Sequence, residues 1–219
     1  MKVHIVNCSH KAKNGNSRYL VDEFLKLLYS QNLKVTYSSV MDREIPYSDI
    51  LGSNFLFFSG PVYVDSLSSL SLKYLIELSK LNFKDSSLEG IIAFSNSGFY
   101  EASHNELSLE IYEVFCKKNN ISYLGGLGIG AGEMLEATSE VYPLDSELKK
   151  DIWRALILIK DCMLTQKPLK ENIYIVPNIS KKTYLKISHS YWNKHAKKNG
   201  LDKENLLVKY KEENCGIQG

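Results

Sequence analysis

Nine residues, Ser9 to Ser17 (SHKAKNGNS), separate an apolar run from the start of a helix. Ser9, Asn14, Asn16 and Ser17 carry short hydroxyl and amide groups. Gly15 lets the backbone turn with its N–H groups outward, and the following helix adds a partial positive charge at its N-terminus. Together these suit an anion, above all a phosphate. The pattern G-x-x-x-x-G-K-[ST] is absent, and so is G-x-G-x-x-G. Neither a Walker loop nor a dinucleotide crossing is therefore indicated. The same residues also make an ordinary polar turn with a helix cap.

Two further stretches carry groups that could meet a ligand. In GPVYVDS, Gly60 to Ser66, Pro61 fixes the backbone and Tyr63 offers a ring. Such a segment lines the edge of a flat heterocycle, or its tyrosine closes the core. In SNSGFYE, Ser95 to Glu101, Gly98 permits close backbone approach and Phe99 and Tyr100 are stacking candidates. A turn with incidental aromatics has the same composition. The glycine run GGLGIGAG, Gly125 to Gly132, reads as a flexible loop near the site, with no ribose-binding acid placed by it. His104 could serve as a proton donor, but a lone histidine at a helix start is more often a cap or surface residue, and the same holds for His189 and His195. Cys8, Cys116, Cys162 and Cys215 are scattered, with no C-x-x-C, so neither a zinc nor an iron–sulfur site is supported. Scattered thiols suit a reduced cytosol.

The elements that must position these groups alternate in type. Lys2 to Asn7 reads as a buried strand. Asn16 or Ser17 caps a helix with Leu20, Phe24, Leu27 and Leu28 on its apolar face. Leu33, Val35 and Tyr37 mark a second strand, and Asn54 to Phe58 a third. A helix follows with Leu67, Leu70, Tyr74, Leu78 and Leu81. Gly90 to Phe94 is a fourth strand, followed by a helix with Leu107, Ile111, Val114 and Phe115. Ile121 to Leu124 is a fifth strand, and Leu148, Ile152, Leu156, Ile159 and Met163 mark a last long helix. The second helix, between Tyr37 and Asn54, is the least defined. This order predicts an α/β domain built on a doubly wound parallel sheet. Ligands bind such sheets beyond the carboxyl ends of the strands, where the strand order reverses. The loops after strands one, three and four meet there.

The compact unit is expected to span 1–168. Residues 169–219 read as a C-terminal extension: Ile173 to Val176, then the basic, aromatic segment Lys181 to Gly200, packed on the domain or on a dimer partner. The 219 residues carry a net charge of +2, which demands no nucleic-acid partner. From Asn178 onward there are nine lysines against four acids, so the basic excess lies in the tail. Lysine runs are usually solvated faces, and no recognised motif accompanies Tyr184, Tyr191 and Trp192. There is no charged leader before a long apolar run and no stretch of transmembrane length. A cytoplasmic protein with neither a nucleic-acid nor a membrane partner is expected.

With the three loops taken together, the chain resembles the flavodoxin-like NAD(P)H-dependent FMN reductases over about Met1 to Thr165. The first loop, Cys8-Ser9-His10-Lys11-Ala12-Lys13-Asn14-Gly15-Asn16-Ser17, is similar to that family's G-S-x-R-x-x-G-N-S/T. Pro61-Val62-Tyr63 is similar to its P-x-Y, and Asn96-Ser97-Gly98-Phe99-Tyr100-Glu101 to its asparagine-glycine-aromatic loop. The resemblance implies a five-stranded sheet of order 2-1-3-4-5 and a homodimer. It implies FMN held by Ser9, Lys11, Asn14, Gly15, Asn16 and Ser17 at the phosphate. Pro61, Val62, Tyr63 and Val64 would lie beside the ring, with Asn96, Ser97, Gly98 and Phe99. NAD(P)H would be the co-substrate, and a quinone, nitro compound or flavin the small-molecule acceptor. No metal and no catalytic side chain are implied, because the flavin carries the chemistry. Cys8 stands where glycine is usual, and Lys11 where arginine is usual. Lysine keeps the charge and loses the planar two-pronged contact. The cysteine cluster of the iron–sulfur branch is missing. An electron carrier of flavodoxin type, or a flavin-free binding protein on the same fold, are the alternatives. The chain has no long acidic block of the kind carriers present to redox partners.

Overall fold

The computed structural model describes residues 1–11 and 15–202. Asn14 and Cys215 lie outside the described residues. The chain divides into two compact units, Met1–Asn178 and a second beginning at Ile179. In the first, strands β1 (Lys2–Asn7), β2 (Lys34–Ser39), β3 (Phe55–Pro61), β4 (Gly90–Asn96), β5 (Tyr123–Ile129) and β6 (Ile173–Ile175) form one sheet. Its helices are α1 (Asn16–Leu27), α2 (Tyr47–Leu51), α3 (Ser69–Leu78), α4 (Glu106–Asn119), α5 (Met134–Ala137) and α6 (Lys150–Thr165). The second unit holds α7 (Lys181–Lys198), where the Ser180 side chain accepts from Thr183 N at 3.2 Å as an N-cap.

Every strand pair is parallel, and the order is β2-β1-β3-β4-β5-β6. The sheet therefore has six strands, not five. The extra one is Ile173–Ile175, which pairs with Leu127 to Ile129 along the far edge. Its pairing also moves the expected boundary at 168/169 to 178/179. From β1 the chain steps outward to β2, then returns past β1 to β3. The crevice where that reversal occurs opens between the carboxyl ends of β1 and β3.

Successive strand residues point to opposite faces, and here both faces are covered. Val3, Ile5, Phe57, Phe94 and Leu127 pack with Phe24 of α1 and Ile152, Leu156 and Ile159 of α6. Val6, Leu56, Phe58, Ile91 and Ala93 pack on the other side with Leu75 of α3 and Tyr112 and Phe115 of α4. Phe24, Phe57 and Phe94 form a trio with centroids 5.2, 5.4 and 5.9 Å apart. These rings anchor α1, and hence its N-terminus, to the two strands whose ends carry the other loops.

β5 corrects the reading of the glycine run. The strand starts and ends later than Ile121 to Leu124, and Gly125, Gly126 and Gly128 lie inside it, fully buried. They are not a flexible loop. Side chains from neighbouring segments occupy the space above them: a Cβ on Gly128 would stand 2.9 Å from Asn105 Cβ.

One polar chain crosses the core. His4 is fully buried, with Nδ1 2.7 Å from Thr36 Oγ1 and Nε2 2.9 Å from Ser38 Oγ, which in turn lies 2.9 Å from Tyr74 Oη. Burial lowers the imidazole pKa to about 4, against a smaller opposing pull from Asp49. The unfolded chain takes up a proton near pH 6.5 that the folded chain refuses until about 4. Stability is therefore full above that window and is lost as pH falls through it, by on the order of 3 kcal/mol. The urea midpoint should fall between pH 6.5 and 4, and His4→Gln should flatten that fall. An equally steep fall in the variant would assign it to other groups.

Candidate functional site

The first loop leaves β1 through Cys8, whose N–H bonds Ser59 O at 2.8 Å and so holds it against β3. The thiol turns inward, 3.5 Å from Tyr112 Oη, and burial pushes its pKa up to about 11. Cys8 is a core residue. Gly60 accommodates it, because a Cβ there would come within 2.5 Å of Cys8 Cβ. Asn7 shapes the next residues: its Oδ1 accepts from Ser9 N at 3.0 Å, and its Nδ2 donates to Lys11 O at 3.3 Å. Lys11 N bonds Ser9 Oγ at 3.1 Å. Gly15 caps α1 at φ 146°, a conformation that favours glycine, and Lys11 Cδ passes 3.7 Å from where its Cβ would be.

Other predicted side chains hold the loops together. Asn16 Oδ1 accepts from Glu136 N at 2.9 Å, tying α1 to α5. Ser17 is buried, donates to Asn96 Oδ1 at 2.9 Å, and its carbonyl accepts from Ser59 Oγ at 2.9 Å. Ser97 is buried too. Its N–H bonds Ile129 O at 2.9 Å and its carbonyl accepts from Gly132 N at 2.7 Å. Pro61 pairs with Asn96, and Val62 N donates to Asn96 O at 3.0 Å. The start of α1 and the ends of the third and fourth strands are thus locked by bonds among Ser17, Ser59, Pro61, Val62 and Asn96.

What remains outward is aromatic and polar. Tyr63 and Ser66 close a two-residue turn through both backbone bonds, 2.8 and 3.2 Å, with Val64 and Asp65 at φ 51° and 59°. Two successive positive φ values give a tight reversal, and valine rarely adopts one. Val64 is 98% exposed at its tip. Tyr63 and Phe99 are 43% and 59% exposed, and Gly98 is also open to solvent. His10 Nδ1 lies 3.2 Å from Tyr63 Oη with the rings edge to face. His104 Nδ1 lies 2.6 Å from Asp65 Oδ1, and its ring sits 4.5 Å from that of Phe99. The three loops therefore meet at one edge through His10–Tyr63 and Asp65–His104–Phe99. His104 is no isolated cap.

The sequence matches no family model and no curated protein. Among solved structures the chain is similar to a flavone reductase at 11% identity and TM-score 0.55, over 80% of this chain and 66% of that one. It is similar to an azoreductase from Bacillus anthracis str. Sterne at 12% identity and TM-score 0.53, over 75% and 99%. A flavodoxin from the domain Archaea aligns at 15% identity and TM-score 0.50, over 76% and 99%. The fold is flavodoxin-like.

In this flavodoxin-like unit, the outward set at the switch point is Ser9, Lys11, the first-turn N–H groups of α1, Tyr63, Gly98 and Phe99. Those N–H groups have no partner within the helix, so they are donors for an anion. The two exposed rings flank the same edge. The arrangement suits a ligand that is planar at one end and anionic at the other. His10 and Asp65 are not among the expected site residues, and His104 is expected as a cap or surface residue. His10 lies within the first loop and could have been included on position. Nothing in sequence spacing pairs Asp65 with His104.

Proposed function

We propose that the chain is an FMN-dependent NAD(P)H oxidoreductase that reduces a small acceptor such as a quinone, nitro compound or flavin. The observation that carries this reading is the convergence of three loops at the strand-order reversal, with the α1 N-terminus on one side and exposed Tyr63 and Phe99 on the other. The residues present fit the cofactor. Ser9, Lys11 and Gly15, with the backbone of Asn16 and Ser17, would hold the phosphate. Asn14 belongs to the same proposed set. Pro61 to Val64 and Asn96 to Phe99 would border the ring.

Bound FMN would supply the two-electron chemistry. The chain's own contribution is positional. The Ser17–Asn96 and Asn16–Glu136 bonds keep the cradle and the ring-side loops in register. Lys11 offers charge to the phosphate. Tyr63 and Phe99 would cover the edge of the bound ring.

The test is an absorption spectrum of purified protein titrated with FMN, then with NADPH or NADH under argon. A bound-flavin band that bleaches with the nicotinamide supports the reading. A band that bleaches only with dithionite points to an electron carrier, and no band at saturating FMN rules out both.

A further inference from the structure

We propose that Lys149 is a positioning residue for the phosphate cradle, acting through one peptide group of α5 on Asn16, and that it makes the site favour flavins that carry a phosphate. The proposal rests on the flavin reading above and adds to it a residue far from the three loops.

Lys149 is fully buried and stands immediately before α6. Its N–H bonds Ser146 O at 2.9 Å, and its carbonyl accepts from Trp153 N at 3.1 Å. Its Nζ donates to Leu135 O at 2.6 Å and lies 5.4 Å from the centre of the Tyr19 ring. Among the described residues, Leu135 O is the one acceptor of that ammonium, which has three N–H groups. Burial lowers its pKa to about 8, against a smaller opposing pull from Glu23, so it still carries charge at pH 7. The start of a helix is also the end that disfavours a cation. A methionine of similar length would fill the same space without removing a charge from water. A buried ion held by so few partners adds little stability, and such groups concentrate at functional sites.

The bonds around Lys149 lead to the cradle. The Leu135 carbonyl that it holds belongs to the same planar peptide group as the Glu136 N–H. That N–H donates to Asn16 Oδ1 at 2.9 Å. One peptide group thus links the buried ammonium at its oxygen to Asn16 at its nitrogen. A cation on the oxygen polarises the group and strengthens its N–H as a donor. Asn16 is the first residue of α1, and this bond fixes which way its amide points. Its Nδ2 hydrogens have no acceptor among the described residues and are left for the anion. Tyr19, whose ring lies near the ammonium, closes the first turn of α1 by donating its N–H to Gly15 O at 3.0 Å. Lys149 therefore supports the start of α1 through both its charge and its hydrogen bond.

The experiment titrates the full chain with FMN and with riboflavin, which differ only in the phosphate, and follows flavin fluorescence. In Lys149→Met the ratio of FMN to riboflavin affinity should fall about tenfold, the size of one charged hydrogen bond, with riboflavin affinity held. A general loosening of the fold would weaken both ligands together. The melting temperature without flavin should change little, because the lost hydrogen bond is offset by the removal of a buried charge. Lys149→Gln, uncharged and one bond too short for Leu135 O, is the second variant should the first not fold, and its ratio should fall as well. Asn16→Ala should lower the ratio too, and the double substitution with Lys149→Met should cost less than the two single losses combined. An unchanged ratio in both Lys149 variants, or equal losses for the two flavins, overturns this proposal and leaves the flavin reading standing. Full additivity with Asn16→Ala overturns it in the same way. Failure of the parent chain to take up FMN overturns both.

Discussion

Replacing Gly130 by alanine is expected to destabilise the protein by about 3 kcal/mol and to displace the third loop. Gly130 follows the last residue of β5, and its N–H donates to Ile175 O at 3.0 Å. A Cβ there would press on the Tyr100 carbonyl, 2.7 Å from Ala102 N and 2.8 Å from Glu101 C. All three are backbone atoms, so no rotamer change relieves the overlap. The segment 100–102 must move, and it leads directly into the turn that carries His104. Gly98→Ala is the control, since its Cβ meets nothing nearer than Glu133 Cγ at 3.5 Å. Urea denaturation of both variants checks this. A Gly130→Ala loss no larger than the Gly98→Ala loss would contradict the packing account.

Asn105→Asp is expected to cost about 3–5 kcal/mol at pH 7 and less as the solution is acidified. Asn105 is fully buried, and its Nδ2 donates to Ala102 O at 3.0 Å and Ile129 O at 3.2 Å. Its Oδ1 has no partner among the described residues. Aspartate would set a carboxylate oxygen against those two carbonyls, at a fully buried position. Desolvation and repulsion would raise its pKa in the folded state. The unfolded chain would then release its proton first, so the variant loses stability as pH rises above about 4. Denaturation midpoints across pH 4 to 8 would show a falling slope relative to the parent. A parallel curve would mean that Asn105 is not sealed from solvent.

The strands that position the site were readable because both faces of the sheet are covered, and residues such as Phe55 to Phe58 are apolar without interruption. That strand signal is missing from β6 and from the glycine-rich part of β5. β6 has three residues, too few for a periodic signal, and only its pairing with β5 defines it. β5 is rich in glycine, which carries no side chain to reveal a buried position. Its burial is set by Leu169, Tyr174 and Asn105, all distant in sequence. In the loops, residue type was readable and destination was not. Asn16 looked like a phosphate ligand, but its side chain reaches Glu136 N. Ser17, expected at the phosphate, and Asn96, expected beside the ring, bond to each other. Asp65 and His104 became a pair only when two strand ends brought their loops together.

Cys8 gives the molecule a memory. Its thiol is held protonated, walled in by Tyr112 and by the narrow gap at Gly60. Oxidants react with the thiolate and must reach it, so an intact molecule is protected, whereas one that has opened at this strand is vulnerable. Added oxygens on that sulfur would have no room when the strand closes. Where an oxidant is present, damage at Cys8 would therefore accumulate in chains that open often and spare those that stay closed.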